Sequence, residues 1–128
     1  MAYLLDTHAL LWYFSGSDAL SRRAKSEISD PRNKAYVSIV SLWEIGIKIN
    51  LGKLKLDIRF EDFKEEILKN QIEILPLEFS HLVGLIDLEN IHRDPFDRIL
   101  ICQARLEKLT IISKDPNFSS YKSIRVIW

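Results

Sequence analysis

The sequence contains little of several features that would place a protein in a specialised class. Its single cysteine, Cys102, excludes an internal disulfide and gives no sign of an oxidising compartment. No apolar run approaches the ~20 residues of a membrane-spanning helix, and Asp6 interrupts the first apolar run, so no secretory signal is predicted. Lysine plus arginine equals aspartate plus glutamate at 18 each, which excludes a broad basic surface. We expect a cytoplasmic protein without a membrane partner, in which any nucleic acid is held by a local group of cations.

Length and patterning predict a single domain over residues 1–128, because 128 residues that are 47% hydrophobic suffice for one core. Short β-like runs alternate with helical patterns, which predicts an α/β/α sandwich with a mostly parallel sheet of four to five strands. The predicted strands are Tyr3–Leu5, Ala35–Ser38, Ile72–Leu75, Thr110–Ser113 and, as a possible fifth, Ile124–Ile127. The predicted helices are Thr7–Phe14, Ser21–Ile28, Ile39–Asn50, Phe60–Asn70, Glu78–Leu88 and Pro95–Lys108, and residues 52–59 are predicted to form a surface connection.

Four acidic residues follow predicted strands or begin predicted helices. They are Asp6, Glu44, Asp97 and Asp115. The C-terminal ends of parallel strands share one edge of a sheet, and ligands bind there where the strand order reverses. Strands one and four are predicted to flank that point, which would bring the four acids together.

Each acid also has a simpler structural explanation. Asp6 could cap the helix that follows it, and Glu44, three residues after Ser41, fits a capping box. Asp97 suits the positive end of a helix, and Asp115 begins a turn-like sequence. As a group, however, four neighbouring carboxylates would repel one another unless a cation were bound. All-oxygen ligation selects Mg²⁺ or Mn²⁺, and such a site is suited to phosphoryl chemistry.

Two hydroxyl residues stand close to these acids in the sequence. Thr7 follows Asp6 directly, and Ser113 precedes Asp115 by two residues. Their hydroxyls could orient carboxylates or a water molecule at the site. The alternative is that Thr7 caps a helix and that Ser113 ends a strand.

Asp94 precedes Pro95 and is predicted mainly to cap the last helix, with a supporting role at the site as the second interpretation. The three histidines show no metal-ligand spacing. His92, two residues before Asp94, could contact a substrate, but a structural role is the favoured interpretation.

Four segments with characteristic residues occur in order along nearly the whole chain. They are Leu5–Trp12, Ser41–Ile45, His92–Ala104 and Ser113–Phe118. The ordered set resembles the PIN domain, in the form found in VapC-type toxins of toxin–antitoxin operons. The resemblance implies a Mg²⁺- or Mn²⁺-dependent endoribonuclease that a cognate antitoxin holds inactive, commonly as a homodimer. It assigns the acidic quartet to Asp6, Glu44, Asp97 and Asp115. Ser113 stands where a threonine is often found and keeps the hydroxyl.

An RNA substrate would need cations around the acidic residues. The candidates are Arg93, Arg98 and Lys114, which adjoin the acids, and Lys48, Lys53 and Lys55, which follow Glu44. We expect some of them to contact phosphates, although each could equally belong to a solvated surface. Lys48 is also placed for a simple i,i+4 ion pair with Glu44.

A group of aromatic residues has two interpretations. Trp12, Tyr13, Phe14 and Trp43 lie near the starts of two predicted helices. Core packing explains most of the group. The alternative is a groove that receives an amphipathic helix of the antitoxin.

Other function classes fit the motifs less well. A PIN nuclease that processes RNA without a toxin role stays open. A phosphoacceptor receiver domain could use Lys114, but it needs a second acid beside Asp6 and an acceptor aspartate where Ile72–Leu75 ends at Pro76. A haloacid-dehalogenase-like phosphatase needs a second aspartate two residues after Asp6, which is absent.

Overall fold

Strands and helices alternate along the chain, which a computed structural model describes over residues 1–128. The strands are β1 (Ala2–Leu5), β2 (Lys34–Ser38), β3 (Ile72–Leu75), β4 (Thr110–Ile112) and β5 (Val126–Ile127). The helices are α1 (Thr7–Ser15), α2 (Arg22–Ser29), α3 (Ile39–Asn50), α4 (Phe60–Lys69), α5 (Phe79–Val83), α6 (Pro95–Glu107) and α7 (Pro116–Ser119). No helix is both long enough and apolar enough to cross a bilayer.

All five strands are parallel and form one sheet in the order β3-β2-β1-β4-β5. The chain builds outward from β1 to β3 on one side and then returns to place β4 on the other side of β1. The reversal of strand order therefore lies between β1 and β4, as the sequence predicted. The predicted α/β fold with a mostly parallel sheet of four to five strands is confirmed, and the sheet is entirely parallel. A receiver domain is excluded, because its strand order is 2-1-3-4-5 and because β3 here is an edge strand that no aspartate follows.

The core has two parts, one on each face of the sheet. Tyr3 and Leu5 of β1 face a cluster that includes residues of α1, α2, α3 and α4. Leu4, which points to the other face, lies in a second cluster with residues of α6 such as Leu100 and Ile101. Side chains alternate between the two faces of a strand, so a strand buried on both faces is continuously apolar. This explains why β1 contains three buried residues in succession before Asp6.

Some element boundaries differ from those predicted. The helix predicted over Glu78–Leu88 is the single short turn of α5, because Gly84 follows it and residues 84–87 continue as turns. The turn predicted after Asp115 contains α7. The fifth strand is confirmed but shorter than predicted. Residues 52–59 form a connection without a strand, as expected.

Candidate active site

Asp6 lies at the C-terminal end of the central strand, at the reversal point. Its backbone N–H donates to the Ile112 carbonyl at 3.1 Å, which extends the pairing of β1 with β4 by one residue. The residue is only 5% exposed. Its Oδ1 accepts a hydrogen bond from the Ala9 backbone N–H at 2.8 Å and caps α1, whereas Oδ2 accepts from Ser113 Oγ at 2.5 Å. The Ser113 hydroxyl therefore bridges the ends of β1 and β4. It orients a carboxylate, which was the first of its two interpretations.

Glu44 is brought to the same edge by α3 and is held by two contacts. Thr7 Oγ1 donates to Glu44 Oε1 at 2.8 Å, and Lys48 Nζ lies 2.9 Å from Oε2. The capping-box interpretation of Glu44 is wrong, because α3 begins after Ser38, whose Oγ accepts from the Val40 N–H at 3.0 Å. The Thr7 hydroxyl thus orients a carboxylate and does not cap α1.

Asp97 and Asp115 meet at the ring of His92. Nε2 of His92 lies 3.2 Å from Asp97 Oδ2 and 3.0 Å from Asp115 Oδ2. The opposite ring nitrogen, Nδ1, accepts from the Asp94 backbone N–H at 3.3 Å, so in the neutral ring Nε2 carries the proton and donates to the carboxylates. Asp94 also caps α6, because its Oδ1 accepts from the Phe96 N–H at 2.8 Å. One donor atom from each of His92, Asp97 and Asp115 lies within 4.8 Å of the others, a spacing that would suit a metal ion.

His92 is the residue at this site that sequence reasoning missed as a contact of the acids. Its backbone N–H donates to the buried Tyr121 hydroxyl at 2.8 Å, and that hydroxyl donates to the Glu89 carbonyl at 3.0 Å. These bonds fix the loop before α6 and so place the His92 ring. The partner Asp115 is 23 residues away along the chain, so no local spacing could have indicated the contact.

Burial and the charges of neighbouring acids raise the pKa values of two of the acids. Burial raises the pKa of Asp97 to about 7, the charge of Asp94 contributes to the rise, and the charges of Asp6 and Glu44 add to the effect. His92 acts in the opposite direction. Asp97 is therefore near enough to the acids at the end of β1 and on α3 for their charges to contribute to its raised pKa.

The pKa of Asp6 is also raised, mainly by burial, and the charge of Asp115 contributes in the same direction. Hydrogen bonds from Ser113 and Ala9 oppose the shift, because they stabilise the ionised form. Ser113 also links Asp6 to the start of α7, because its Oγ accepts from the Asp115 backbone N–H at 3.0 Å.

The predicted RNA-binding cations fall into three groups. Lys48 is paired with Glu44, as its simpler interpretation stated. Arg98 Nη1 donates to the carbonyls of Glu89 and His92, each at 3.1 Å, and so braces the loop before α6. Arg93 and Lys114 are exposed at the edge of the site and make no ion pair, which leaves their side chains available to a ligand.

The aromatic residues divide between core and surface. Trp12, Tyr13 and Phe14 are partly buried and pack against the first core cluster, which supports the core interpretation for these three. Trp43 differs: it is 62% exposed and makes an edge-to-face contact with Phe96, with ring centroids 5.3 Å apart.

The donor set fits a hard divalent cation. Asp97 and Asp115 form with His92 a group whose ligand atoms lie within 4.8 Å of one another, and the acids Asp6 and Asp97 have raised pKa values. A cation in their midst would stabilise the ionised forms, and oxygen donors select Mg²⁺ or Mn²⁺ over softer metals.

Comparisons with known proteins agree with this architecture. Residues 3–123 match the PIN domain family, and the chain belongs to that family. A search of curated proteins found no match.

Solved structures with the same fold come from bacterial toxin–antitoxin complexes. VapBC2 of Rickettsia felis, bound to a DNA fragment from its promoter, superposes with a TM-score of 0.73 at 16% identity, covering 100% of this chain and 99% of that chain. VapBC-1 of nontypeable Haemophilus influenzae gives a TM-score of 0.69 at 16% identity, with 99% and 97% covered. A toxin–antitoxin complex from Klebsiella pneumoniae gives 0.64 at 21% identity, with 98% and 96% covered.

Proposed function

We propose that this protein is a Mg²⁺- or Mn²⁺-dependent endoribonuclease and the toxin of a toxin–antitoxin pair. The observation that supports the proposal most directly is that Asp97 and Asp115 meet at His92, near the charges of Asp6 and Glu44, at the strand-order reversal of a PIN domain. These four carboxylates would hold the cation. When bound, such a cation supplies positive charge to a phosphodiester and acidifies a water molecule.

The residues around the acids prepare them for this task. The Ser113 hydroxyl and the Ala9 amide fix both oxygens of Asp6, and the Thr7 hydroxyl fixes one oxygen of Glu44. Ligands held in this way need little reorganisation when a substrate arrives. Arg93 and Lys114 are free to contact the phosphates of RNA on either side of the acids.

The toxin role is supported by the fold shared with VapBC complexes, in which a toxin is bound by an antitoxin. An apolar strip on α3 offers a surface for a second copy of the chain. The strip consists of Ile39, Trp43, Ile47 and Leu51, which are spaced four residues apart and are 42%, 62%, 36% and 59% exposed. A contiguous exposed apolar surface of this kind is typical of a protein–protein interface. We assign the homodimer contact to this strip.

The second candidate keeps the nuclease and drops the toxin role: a PIN nuclease that processes RNA. The same acids and the same fold support it. Expression in a bacterial host separates the two, because a toxin arrests growth unless its antitoxin is present.

The test of the nuclease compares wild type with Asp6→Asn on structured RNA in Mg²⁺, Mn²⁺ and EDTA. Asp18→Asn, at an exposed aspartate of the α1–α2 connection, is the matched control. We expect Asp6→Asn to lower the cleavage rate by about a hundredfold or more, since a ligand to the cation is lost, and EDTA to abolish cleavage. Equal activity of Asp6→Asn and wild type, or activity that survives EDTA, would refute the mechanism.

The dimer assignment has its own measurement. Trp43→Glu should convert a dimer to a monomer in sedimentation velocity, because it places a charge in the centre of the strip. Ile86→Glu, at an apolar residue that is 82% exposed on another surface, should leave the dimer intact. A dimer that persists in Trp43→Glu contradicts the assignment.

A further inference from the structure

A cavity of about 550 Å³ lies beside the acidic residues, between α1, the end of α3, residues 53–58 and α4. Leu11, Phe14 and Phe63 give it an apolar floor, and the Phe14 and Phe63 rings meet edge to face at 5.3 Å. The volume falls within the range of about 300–1,000 Å³ that is usual for small-ligand sites. The cavity is therefore large enough to receive a group the size of a nucleotide.

The cavity shares a wall with the acids. His8, which lines it, follows Asp6 and Thr7 directly at the start of α1. Lys48, a second lining residue, contacts Glu44 at 2.9 Å. A chain molecule that is cleaved at the carboxylates would therefore place its adjacent unit at the mouth of the cavity.

The wall formed by residues 53–58 is anchored to α3. The Lys53 N–H donates to the Lys48 carbonyl at 2.8 Å, and the Gly52 N–H donates to the Ile49 carbonyl at 3.0 Å. Together they form the Schellman arrangement, with Gly52 in the left-handed region at φ +72°. The backbone at the end of α3 thus fixes where this wall of the cavity begins.

The charges around the cavity favour an anionic occupant. Three lysines line it, Lys48, Lys53 and Lys55, and Lys53 and Lys55 are exposed and make no ion pair. Two acids, Asp57 and Glu66, oppose them. Glu66 lies 3.9 Å from Lys69 and is partly neutralised there. Because Lys48 is paired with Glu44, the excess of positive charge at the cavity comes from Lys53 and Lys55 and is small.

The aromatic surface favours a flat occupant. The exposed His8 ring stacks on Trp12 with centroids 5.4 Å apart and planes 21° apart. Single-stranded RNA is recognised by stacking of its bases on aromatic rings, while lysines contact its phosphates. An apolar floor, a stacked pair of rings and unpaired lysines are the features that such recognition requires.

We propose that this cavity binds the nucleotide next to the scissile phosphate, with the base on the apolar floor and its phosphate at Lys53 and Lys55. The proposal rests on the proposed nuclease function and names a determinant of its sequence preference. It predicts that the protein cuts RNA within single-stranded segments.

The test measures binding of a fluorescein-labelled random RNA octamer by fluorescence anisotropy in EDTA, where no metal-dependent cleavage occurs. The double variant Lys53→Gln/Lys55→Gln should weaken binding at least fivefold. The slope of log K against log salt should become shallower by about 0.7 for each phosphate that is no longer neutralised by a lysine. The control is Lys34→Gln/Lys122→Gln, at two exposed lysines outside the cavity, and it should bind as wild type does.

A second variant tests the base independently of charge. Ser15→Leu adds bulk at a lining residue at the end of α1, and we expect a similar loss of affinity with the salt slope unchanged. Ser29→Leu, at the exposed end of α2, is its control. Circular dichroism verifies that every variant is folded.

Each result decides the question. RNA binding that neither cavity variant changes, or a wild-type protein that does not bind the octamer, overturns the proposal. An effect of the lysines without an effect of Ser15→Leu assigns the region to phosphate attraction alone and also overturns it. So does loss of a co-expressed antitoxin from Ser15→Leu with RNA binding intact, because the cavity then receives a protein. If the variants behave as expected but no metal-dependent cleavage is found, the nuclease proposal fails and the cavity is an RNA-binding site without a link to cleavage.

Discussion

A substitution of Asp97 tests how much the ionised acidic residues lower the stability of the metal-free fold. The pKa of Asp97 is raised from 3.8 to about 7, with burial as the largest cause, so the folded state binds a proton more tightly than the unfolded chain does. Stability must therefore fall as pH rises from about 4 to about 7, and the full destabilisation is present above pH 7. Removing the charge with Asp97→Asn should relieve it.

The expected magnitude follows from the same values. The difference between 3.8 and about 7 corresponds to at most about 4 kcal/mol. Because the side chain keeps 19% of its exposure, screening by water reduces this to on the order of 1–2 kcal/mol. Asparagine also loses the favourable interaction of a charge with the start of α6, about 0.3–1 kcal/mol. The net gain is about 1 kcal/mol, or roughly 3–6 °C in Tm.

The assay is thermal unfolding of wild type and Asp97→Asn at pH 8 and pH 4.5, in EDTA and in Mg²⁺. Without metal, the variant should be the more stable protein at pH 8, and the difference should shrink at pH 4.5. With Mg²⁺ the order should reverse, because only wild type keeps all four carboxylates for the cation and gains from its binding. Asp18→Asn should show neither effect, since Asp18 is exposed. A variant that is no more stable than wild type at pH 8 in EDTA would refute the argument that burial and the neighbouring carboxylates destabilise ionised Asp97.

Three further predictions concern the hydrogen bonds around the acids. Ser113→Ala removes the donor to Asp6 and should lower the cleavage rate by about 10- to 100-fold, whereas Ser113→Thr should keep most of it; equal rates for the two variants would contradict this role. Thr7→Val removes the donor to Glu44 and should raise the Mg²⁺ concentration needed for half-maximal activity, and an unchanged titration would count against it. Tyr121→Phe removes the partner of the His92 backbone N–H and one of the two donors to the Glu89 carbonyl, and it should cost about 1 kcal/mol in chemical denaturation. An unchanged midpoint would show that the Tyr121 hydroxyl does not stabilise the loop before α6.

The placement of the acids at one edge could be predicted from sequence, because it depends on few choices. Once alternating elements indicate a parallel sheet, all strand ends face the same way. Asp6 and Ser113 then need only neighbouring strands to meet, and β1 pairs with β4 in register from Tyr3 to Leu5. The strand order of the sheet therefore determines which residues that directly follow a strand lie next to one another.

Positions that depend on helix starts or on long-range contacts could not be predicted in the same way. Ser38 and Ser41 are both reasonable caps for α3, and only the end of β2 decides for Ser38. Ser41 is instead buried, and its hydroxyl has no hydrogen-bond partner. His92 approaches Asp115 because Tyr121, from a third segment, fixes its loop. No spacing within a single element encodes such a meeting of three segments.

In the structure, one aspartate can cap a helix with one oxygen and direct the other oxygen to the candidate site. Capping and metal binding are competing explanations for Asp6 only if a carboxylate has one use, but Asp6 caps α1 with Oδ1 and directs Oδ2 to Ser113. Asp115 caps α7 with Oδ1 and contacts His92 with Oδ2. In a parallel sheet each strand end is followed closely by a helix start, so one aspartate can serve both. The cap fixes the side-chain rotamer, and this leaves the second oxygen in a defined place at the site.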